Sequence, residues 1–532
     1  MTATVEAPPS DARTHPGSRR VAPLAVTCLL VLPALVAAVS LLGRHWYGSG
    51  DQALEVLRIG DVGGQHTPLV GVLSRFGWYH PGPLLFLILA PAQRLLGQTG
   101  VLAGTALLNA AALVGVAVVA RRRGGTALVL WTALLVAALV HALGPGLLID
   151  PWNPWAALLP FLFFALLAWS VACGDHPTLP WAAGVGSFVV QTHVGYAPLV
   201  VGVLAVVLVL AVLGRARARL GRWLAIAGLV TVVLWVPPLI QQATGHPGNL
   251  GEVASYFVHP GSSQQPADIA GGPAVGWKTA FGAMGTELGP PGPWLTGRDT
   301  NSVGFVARGA AVPAVLVLLA TVGCGLLAWR RGARDAARLA AVAVTMAVIG
   351  LVATARVNGI LANYLVRWWW VVALLLWLAI GWCLVEALRG LPARLRADGS
   401  PARGRGVGRS ARVAGLLVAT GTLVLVAVSS ADALPAPLPV APASDAIAHL
   451  APSTARAVGR NGPYLLRWED PEALSGVGPG MFTTLRLAGL DVVAGAEQSK
   501  AVGAWRVTPP IHVNGVITGV GVPDPTILSQ PL

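Results

Sequence analysis

The chain has 532 residues, of which 55% are hydrophobic and 11% charged, with a formal net charge of +14 and a mean hydropathy of +0.68. A soluble globular domain carries roughly 25% charged residues, so this composition excludes one and indicates a polytopic membrane protein. The surplus cation is nearly all arginine, in short clusters between apolar runs, which marks a topology determinant and argues against a nucleic-acid surface.

A helix needs about 20 apolar residues to cross a hydrocarbon core of about 30 Å, and short arginine-rich loops stay in the cytoplasm. Residues 1–23, rich in Pro, Ser and Arg, read as a flexible cytoplasmic N-terminus. The apolar run after them lacks a small-residue cleavage site and reads as a retained span. Span 1, about 24–43, follows Arg19 and Arg20 and leaves the first loop, 44–99, outside; span 2, about 100–120, returns to Arg121, Arg122 and Arg123. Between them "PLLFLILAPAQRLL" offers about 14 apolar-dominated positions, roughly 21 Å as a helix. It reads as an interfacial or re-entrant helix, because counting it as a span would put the arginine triplet outside.

Spans 3 (about 126–143) and 4 (about 155–172) bracket the outer loop "GPGLLIDPWNP", and residues 179–214 fit two short spans hinged near "HVGYAP". Span 7, about 223–240, leads to a long outer loop, 241–308. Spans 8 to 11 follow at about 309–329, 339–355, 367–386 and 413–430, with "RRGARDAAR" and the arginines from Arg389 to Arg412 on the inner side. The expectation is an α-helical polytopic membrane protein of about 11 transmembrane helices over 24–431, N-terminus in and C-terminus out, with every arginine cluster on one side. A Pro-rich linker, 432–443, is expected to be extended. Residues 444–532 read as a small extracytoplasmic α/β domain, with strands at "GPYLLRW", "LDVVAG", "AWRVT" and "GVITGV" and a helix at "GMFTTLRLAG".

The charged island "GDQALEVLRIGDVGGQHTPLVGVLSRFGWYHPGPLLF" occupies residues 50–86 of the first loop. Asp51, Glu55 and Arg58 fall on one face of a short helix. A carboxylate at the outer surface accepts a proton from an attacking hydroxyl, or binds a divalent metal ion that organises a phosphate. A solvated interfacial helix with an ion pair accounts for the same spacing. The order of parts is a span, a carboxylate just after it, a polar stretch, then "HPGPLLFLILAPAQRLLG" and a second span ending in basic residues.

That order resembles the GT-C superfamily of membrane glycosyltransferases, and within it the protein O-mannosyltransferase and aminoarabinose-transferase branch. Asp51 matches the first acid of the family's first-loop pair, and His80, Pro81 and Pro83 match the later segment; the second acid is Gln52 here, with Glu55 and Asp61 nearby. The resemblance implies a hexosyl- or pentosyltransferase of cell wall biogenesis, multi-pass in the cell membrane with an extracytoplasmic active site. It implies transfer from a polyprenyl-phosphate-linked sugar donor to a glycan, lipid or protein acceptor, with inversion. Asp51 is then the candidate base, and Glu55 and His80 are candidate substrate-binding residues.

Further candidates follow from residue type and position. Arg356 and Arg367 flank span ends on the outer side, against the positive-inside trend, where a lipid phosphate is a suitable partner; snorkelling to headgroups serves equally. Asp150, Trp152 and Asn153 share one outer loop, where aromatic faces stack on sugars, although interfacial belts also use Trp. Gln191, His193 and Tyr196 sit at the outer end of a short span, and Gln241 at the end of span 7, each a candidate substrate contact or a structural hydrogen-bonding group. "RWWW" at 367–370 reads mainly as an interfacial belt. Cys28, Cys173, Cys324 and Cys383 imply neither a disulfide framework nor a zinc site. No Walker A sequence occurs, and no span is dense in ionisable residues as proton-coupled pumps tend to be. The rival reading is a transporter or flippase for a lipid-linked glycan; a scaffold with an outer binding domain is a third.

Overall fold

The structure, a computed structural model, describes residues 18–213, 220–259, 272–297, 306–389, 404–460, 462–469, 476–507 and 513–520. The expectations for residues 1–17, for Arg394, Arg396 and Arg403, and for 260–271 and 298–305 of the long loop lie outside them.

In lipid every backbone N–H and C=O must be satisfied within the protein, so the apolar runs fold as helices. Among the described residues nine helical stretches are long and apolar enough to cross a membrane. The chain is a multi-pass membrane protein, mostly helical, with a small sheet near its C-terminus. In chain order come α1 (Ser18–Ser40), α2 (Gly50–Gly60), α3 (Leu84–Ile149), α4 (Leu158–Ala172), α5 (Leu179–Thr192), α6 (Ala197–Leu213) and α7 (Leu220–Thr244). Then follow α8 (Asn249–Val258), α9 (Gly276–Leu288), α10 (Ala311–Arg330), α11 (Arg334–Ala355), α12 (Trp369–Arg389) and α13 (Gly404–Ala433).

The 66-residue α3 is not one rod. Gly97 (φ 64, ψ −153) and Gly125 (φ 62, ψ −154) break it in a backbone region that glycine alone enters cheaply. A Cβ on Gly100 would lie 2.0 Å from the Ala92 carbonyl oxygen, so the chain doubles back at Gly97. Asn109 Nδ2 donates to the Leu148 carbonyl at 2.9 Å; thirty-nine residues of straight helix would separate them by about 60 Å. Residues 84–96 therefore form a separate helix lying on the next, and 98–124 runs antiparallel to 126–149.

The window of Asn153–Ala172 is 94% buried and that of Leu220–Thr244 only 11%, so α4 forms the centre of the bundle and α7 presents apolar surface outward, as a lipid-facing helix does. The belt expected at "RWWW" is corrected: Trp368, Trp369 and Trp370 are buried to 1% exposure or less, in the bundle core. Gly350 admits them, since a Cβ there would meet Trp368 Cζ3 at 2.5 Å.

The linker is not extended throughout. Helix α14 (Ala441–Val458) starts within it, with Pro442 in the first turn, where a missing N–H costs nothing. Arg44 Nη1 donates to the Ala436 carbonyl at 2.8 Å and Trp46 Nε1 to the Pro439 carbonyl at 2.9 Å, which ties this segment to the start of the first loop. Beyond it lie β1 (Tyr464–Glu469), α15 (Val477–Leu487), β2 (Val492–Ala494) and β3 (Gly515–Val520). The sheet is parallel, in the order β2-β1-β3, with Tyr464 opposite both Val492 and Gly515. The strand expected at "AWRVT" is corrected: Ala504–Arg506 is a single 3-10 turn with an isolated bridge from Val507 to Ala494. Trp505 and Arg506 there bond to the first loop, and such tertiary contacts override strand preference.

Candidate active site

Helix α2 enters directly from the first span and carries Asp51 in its first turn. Its inner face packs on α3, and its other face meets the C-terminal domain: Thr483 Oγ1 donates to the Ala53 carbonyl at 3.0 Å, and Gly50 N to the Gly476 carbonyl at 2.9 Å. A tight hairpin follows at 71–80, closed by Ser74 N to Trp78 O at 2.8 Å and His80 N to Val72 O at 2.8 Å. It holds Arg75, Phe76, Trp78 and His80.

Between α2, the hairpin, the Trp152–Pro154 loop, the α5–α6 hinge and the C-terminal domain lies a cavity of about 470 Å³. Asp51, Arg75 and Arg356 bring charge to its wall, and Phe76, Trp78, Trp152, Tyr256, Tyr364 and Trp468 bring aromatic faces. Val194, Pro198 and Phe257 add apolar surface to the wall.

Six residues singled out in the sequence line this cavity: Asp51, His80, Trp152, Asn153, His193 and Arg356. Asp51 Oδ2 accepts from Trp152 Nε1 at 3.1 Å. Burial raises the Asp51 carboxyl to about 7, an effect the Trp152 hydrogen bond partly offsets. His80 Nδ1 accepts from Val194 N at 3.1 Å and His193 Nδ1 from Gly195 N at 3.2 Å, which assigns both rings as neutral Nε2–H tautomers. Burial and the neighbouring His193, 4.7 Å away between ring centroids, push His80 well below the ordinary imidazole range. Asn153 Nδ2 donates to the Thr192 carbonyl at 2.9 Å, locking the loop to the end of α5.

The other six lie off the cavity wall, and each has an internal partner. Glu55 is fully buried one turn below Asp51; Oε1 accepts from Asn153 N at 3.0 Å, and Oε2 has no hydrogen-bond partner among the described residues. Burial, Asp51 and Asp150 hold it well above the usual carboxylate range. Asp150 Oδ1 accepts from Trp152 N at 2.9 Å, an Asx turn that shapes the loop, and from Gln52 Nε2 at 3.3 Å; burial raises it to about 6. Gln52, in place of the family's second acid, thus serves Asp150. Gln191 Nε2 donates to the Leu234 carbonyl at 2.9 Å, and Gly82 of "HPGP" is required beside it, because a Cβ would lie 2.1 Å from Gln191 Oε1. Tyr196 donates to the Pro154 carbonyl at 3.0 Å. Gln241 Oε1 accepts from Asn249 N at 2.8 Å, and Asn249 brackets the Tyr79 backbone on the hairpin at 2.9 and 3.0 Å. Arg367 is 2% exposed, its guanidinium 4.5 Å from the Trp370 ring centroid and 5.2 Å from that of Trp155. Internal cation–π contacts hold that charge at a span end.

Arg75 was missed by sequence reasoning. Its Nη2 donates to the Ile360 carbonyl at 2.8 Å and its guanidinium lies 4.8 Å from the Phe76 ring centroid, while Nε has no hydrogen-bond partner among the described residues. The hairpin pattern "SRFGWYH", with Gly77 at φ 86, was the available signal. Trp468 was missed as well, because it lies on β1, some four hundred residues away in sequence. Among the described residues no three His, Cys, Asp or Glu side chains gather as a metal site, and no step below is routed through one.

No family model and no curated protein matches the chain. Among solved structures, ArnT from Cupriavidus metallidurans bound to undecaprenyl phosphate is similar at a TM-score of 0.51 and 17% identity, covering 91% of this chain and 89% of that one. ArnT from the same organism in the apo state matches at a TM-score of 0.49 and 18% identity, covering 92% and 89%. The first likeness gives this chain an ArnT-like fold.

Proposed function

We propose that this GT-C-fold chain is a membrane glycosyltransferase that moves a sugar from a polyprenyl-phosphate donor to an acceptor hydroxyl at the extracytoplasmic face. The observation that carries the reading is one cavity holding a carboxylate, two arginines, several aromatic faces and apolar side chains. The arginine-rich loops are taken as cytoplasmic, and the pass count as eleven: the nine long stretches, with α3 divided at Gly125 and the 14-residue α5 included.

The chemistry follows from the groups present. Asp51 as carboxylate takes the proton of the acceptor hydroxyl as that oxygen attacks the anomeric carbon. The bond from the anomeric carbon to the phosphate oxygen breaks on the opposite side, and the configuration inverts. Arg75 and Arg356 stabilise the negative charge that stays on the departing polyprenyl phosphate. The neutral Nε2–H groups of His80 and His193 supply donors to sugar or phosphate oxygens, Trp152 offers an aromatic face beside Asp51, and the Val194–Pro198–Phe257 side accepts the first isoprene units. In ArnT the crystallised lipid is undecaprenyl phosphate, which supports a lipid of that class here. A transporter or flippase would need a path open to both faces, whereas the cavity is walled by the first loop, the ends of spans such as Pro198 and Ala353, and the C-terminal domain, which favours the enzyme.

The test is turnover by purified protein of a panel of polyprenyl-phosphate monosaccharides with an envelope glycan fraction as acceptor. Acceptor-dependent release of free polyprenyl phosphate from one of them is expected; release from none would overturn the reading.

A further inference from the structure

Residues 496–507 of the C-terminal domain touch the first loop at two separated places. At one, Arg506, 7% exposed, forks onto Asp61, the residue capping α2: Nη1 donates to Oδ2 at 3.1 Å, and Nη2 to Oδ1. Arg58 shares that carboxylate at 3.0 Å. The neighbouring Trp505 ring stacks on His66 at 4.2 Å and 8°, with the Arg58 guanidinium 4.9 Å from its centroid. At the other place Lys500 Nζ donates to the Gly77 carbonyl at 2.8 Å and the Tyr79 hydroxyl donates to the Lys500 carbonyl at 2.7 Å. Lys500 also pairs with Glu252 of α8 at 3.7 Å. Gly77 and Tyr79 belong to the hairpin that carries Arg75, and Asp61 caps the helix that carries Asp51. Gln498 and Ala501 of the same segment face the cavity.

We propose that residues 496–507 form a strap that fixes the wall bearing the base against the wall bearing the phosphate-binding arginine, with Arg506 and Lys500 as positioning residues. The inference rests on the glycosyl-transfer reading above. An in-line displacement needs its base and its leaving-group cation held to within about 0.5 Å, and a misplacement of about 1 Å costs about a hundredfold in rate. A short helix and a hairpin in one loop open locally more readily than a bundle of long helices. A buried, bidentate arginine–carboxylate pair contributes geometry more than net stability. The strap is the element that bonds to both walls, so its loss lets them drift without unfolding the bundle.

The test uses the full-length protein in lipid nanodiscs with two readouts. By hydrogen exchange, Arg506→Gln is expected to quicken amide exchange in both 50–60 and 72–80 by about tenfold while α4 and α12 stay protected. With the polyprenyl-phosphate sugar that the wild type turns over, kcat is expected to fall about tenfold with the donor KM within about twofold. Arg506→Lys, which keeps the charge and loses the fork, is expected to recover about a third of kcat. Lys500→Ala is expected to lower kcat about threefold, because the Tyr79 bond to the backbone survives. Unchanged exchange at 72–80, or kcat within about twofold for Arg506→Gln, would overturn the strap. Should Arg506→Gln not fold, Arg506→Lys carries both readouts, and wild-type values in both would overturn it. A wild type that transfers no sugar sinks the functional reading, while the exchange experiment still decides the strap.

Discussion

At the residue scale, Asp51 is a carboxyl that burial keeps at about 7, so its charge changes within the working range of an enzyme. About a tenth of it is ionised at pH 6 and about nine tenths at pH 8. A base works only as the carboxylate, so kcat/KM should rise about thirtyfold from pH 5.5 to 8 and then level. A flat profile over that range would remove Asp51 from the proton transfer. The same burial sets a stability trend. A carboxyl raised in the folded state contributes stability that is present below its unfolded value near 3.8 and lost as pH rises through about 7. Asp51→Asn should therefore melt above wild type at pH 8 and level with it at pH 4, a gain in stability at the expense of activity that is typical of functional sites. Arg75→Ala should raise the donor KM about tenfold, whereas Arg367→Ala should lower the melting temperature and leave the donor KM alone. The contrast shows what was legible in the sequence at this scale. Arg356 and Arg367 stand out alike in the sequence against the positive-inside trend, and only three-dimensional packing reveals that Arg356 lines the cavity while Arg367 lies over Trp155 and Trp370. Asp51, His80, Trp152 and Asn153 were legible because polar and aromatic residues cluster in otherwise apolar loops. Trp468 was not, because no local pattern brings β1 to the cavity.

At the element scale, hydrophobic length marks the crossings, and glycine marks where they turn. The composition of 84–149 is apolar enough to run as one helix, so the division at Gly97 and Gly125 comes from two residues with positive φ. The arginines at 121–123 locate the turn in the sequence. No neighbour lies within 4 Å of a Cβ built on Gly125, so Gly125→Ala incurs only the backbone cost, about 1–3 kcal/mol, readable as a lower melting temperature in detergent. A wild-type melting temperature would mean the turn tolerates a side chain. In the "HPGP" segment Gly82 leaves space for Gln191. Helix α15 and strands β1, β2 and β3 were legible from alternation and propensity. The fragment at 504–506 was not, because its Trp and Arg are spent on the first loop.

At the scale of the whole molecule, the first loop and the C-terminal domain make one unit across 445 positions of sequence between Asp61 and Arg506. Hydropathy delimits the domain but is silent on where it docks. Its docking completes the cavity with Trp468, Pro479, Gln498 and Ala501, so the site is shared between the helical bundle and the C-terminal domain. If the Asp51 carboxylate drives sugar transfer from a polyprenyl-phosphate donor in that cavity, purified Asp51→Asn protein should carry out single-turnover transfer at least about a hundredfold more slowly than wild type, with donor lipid binding, measured in parallel, retained. Transfer within about tenfold of wild type at saturating donor would contradict it.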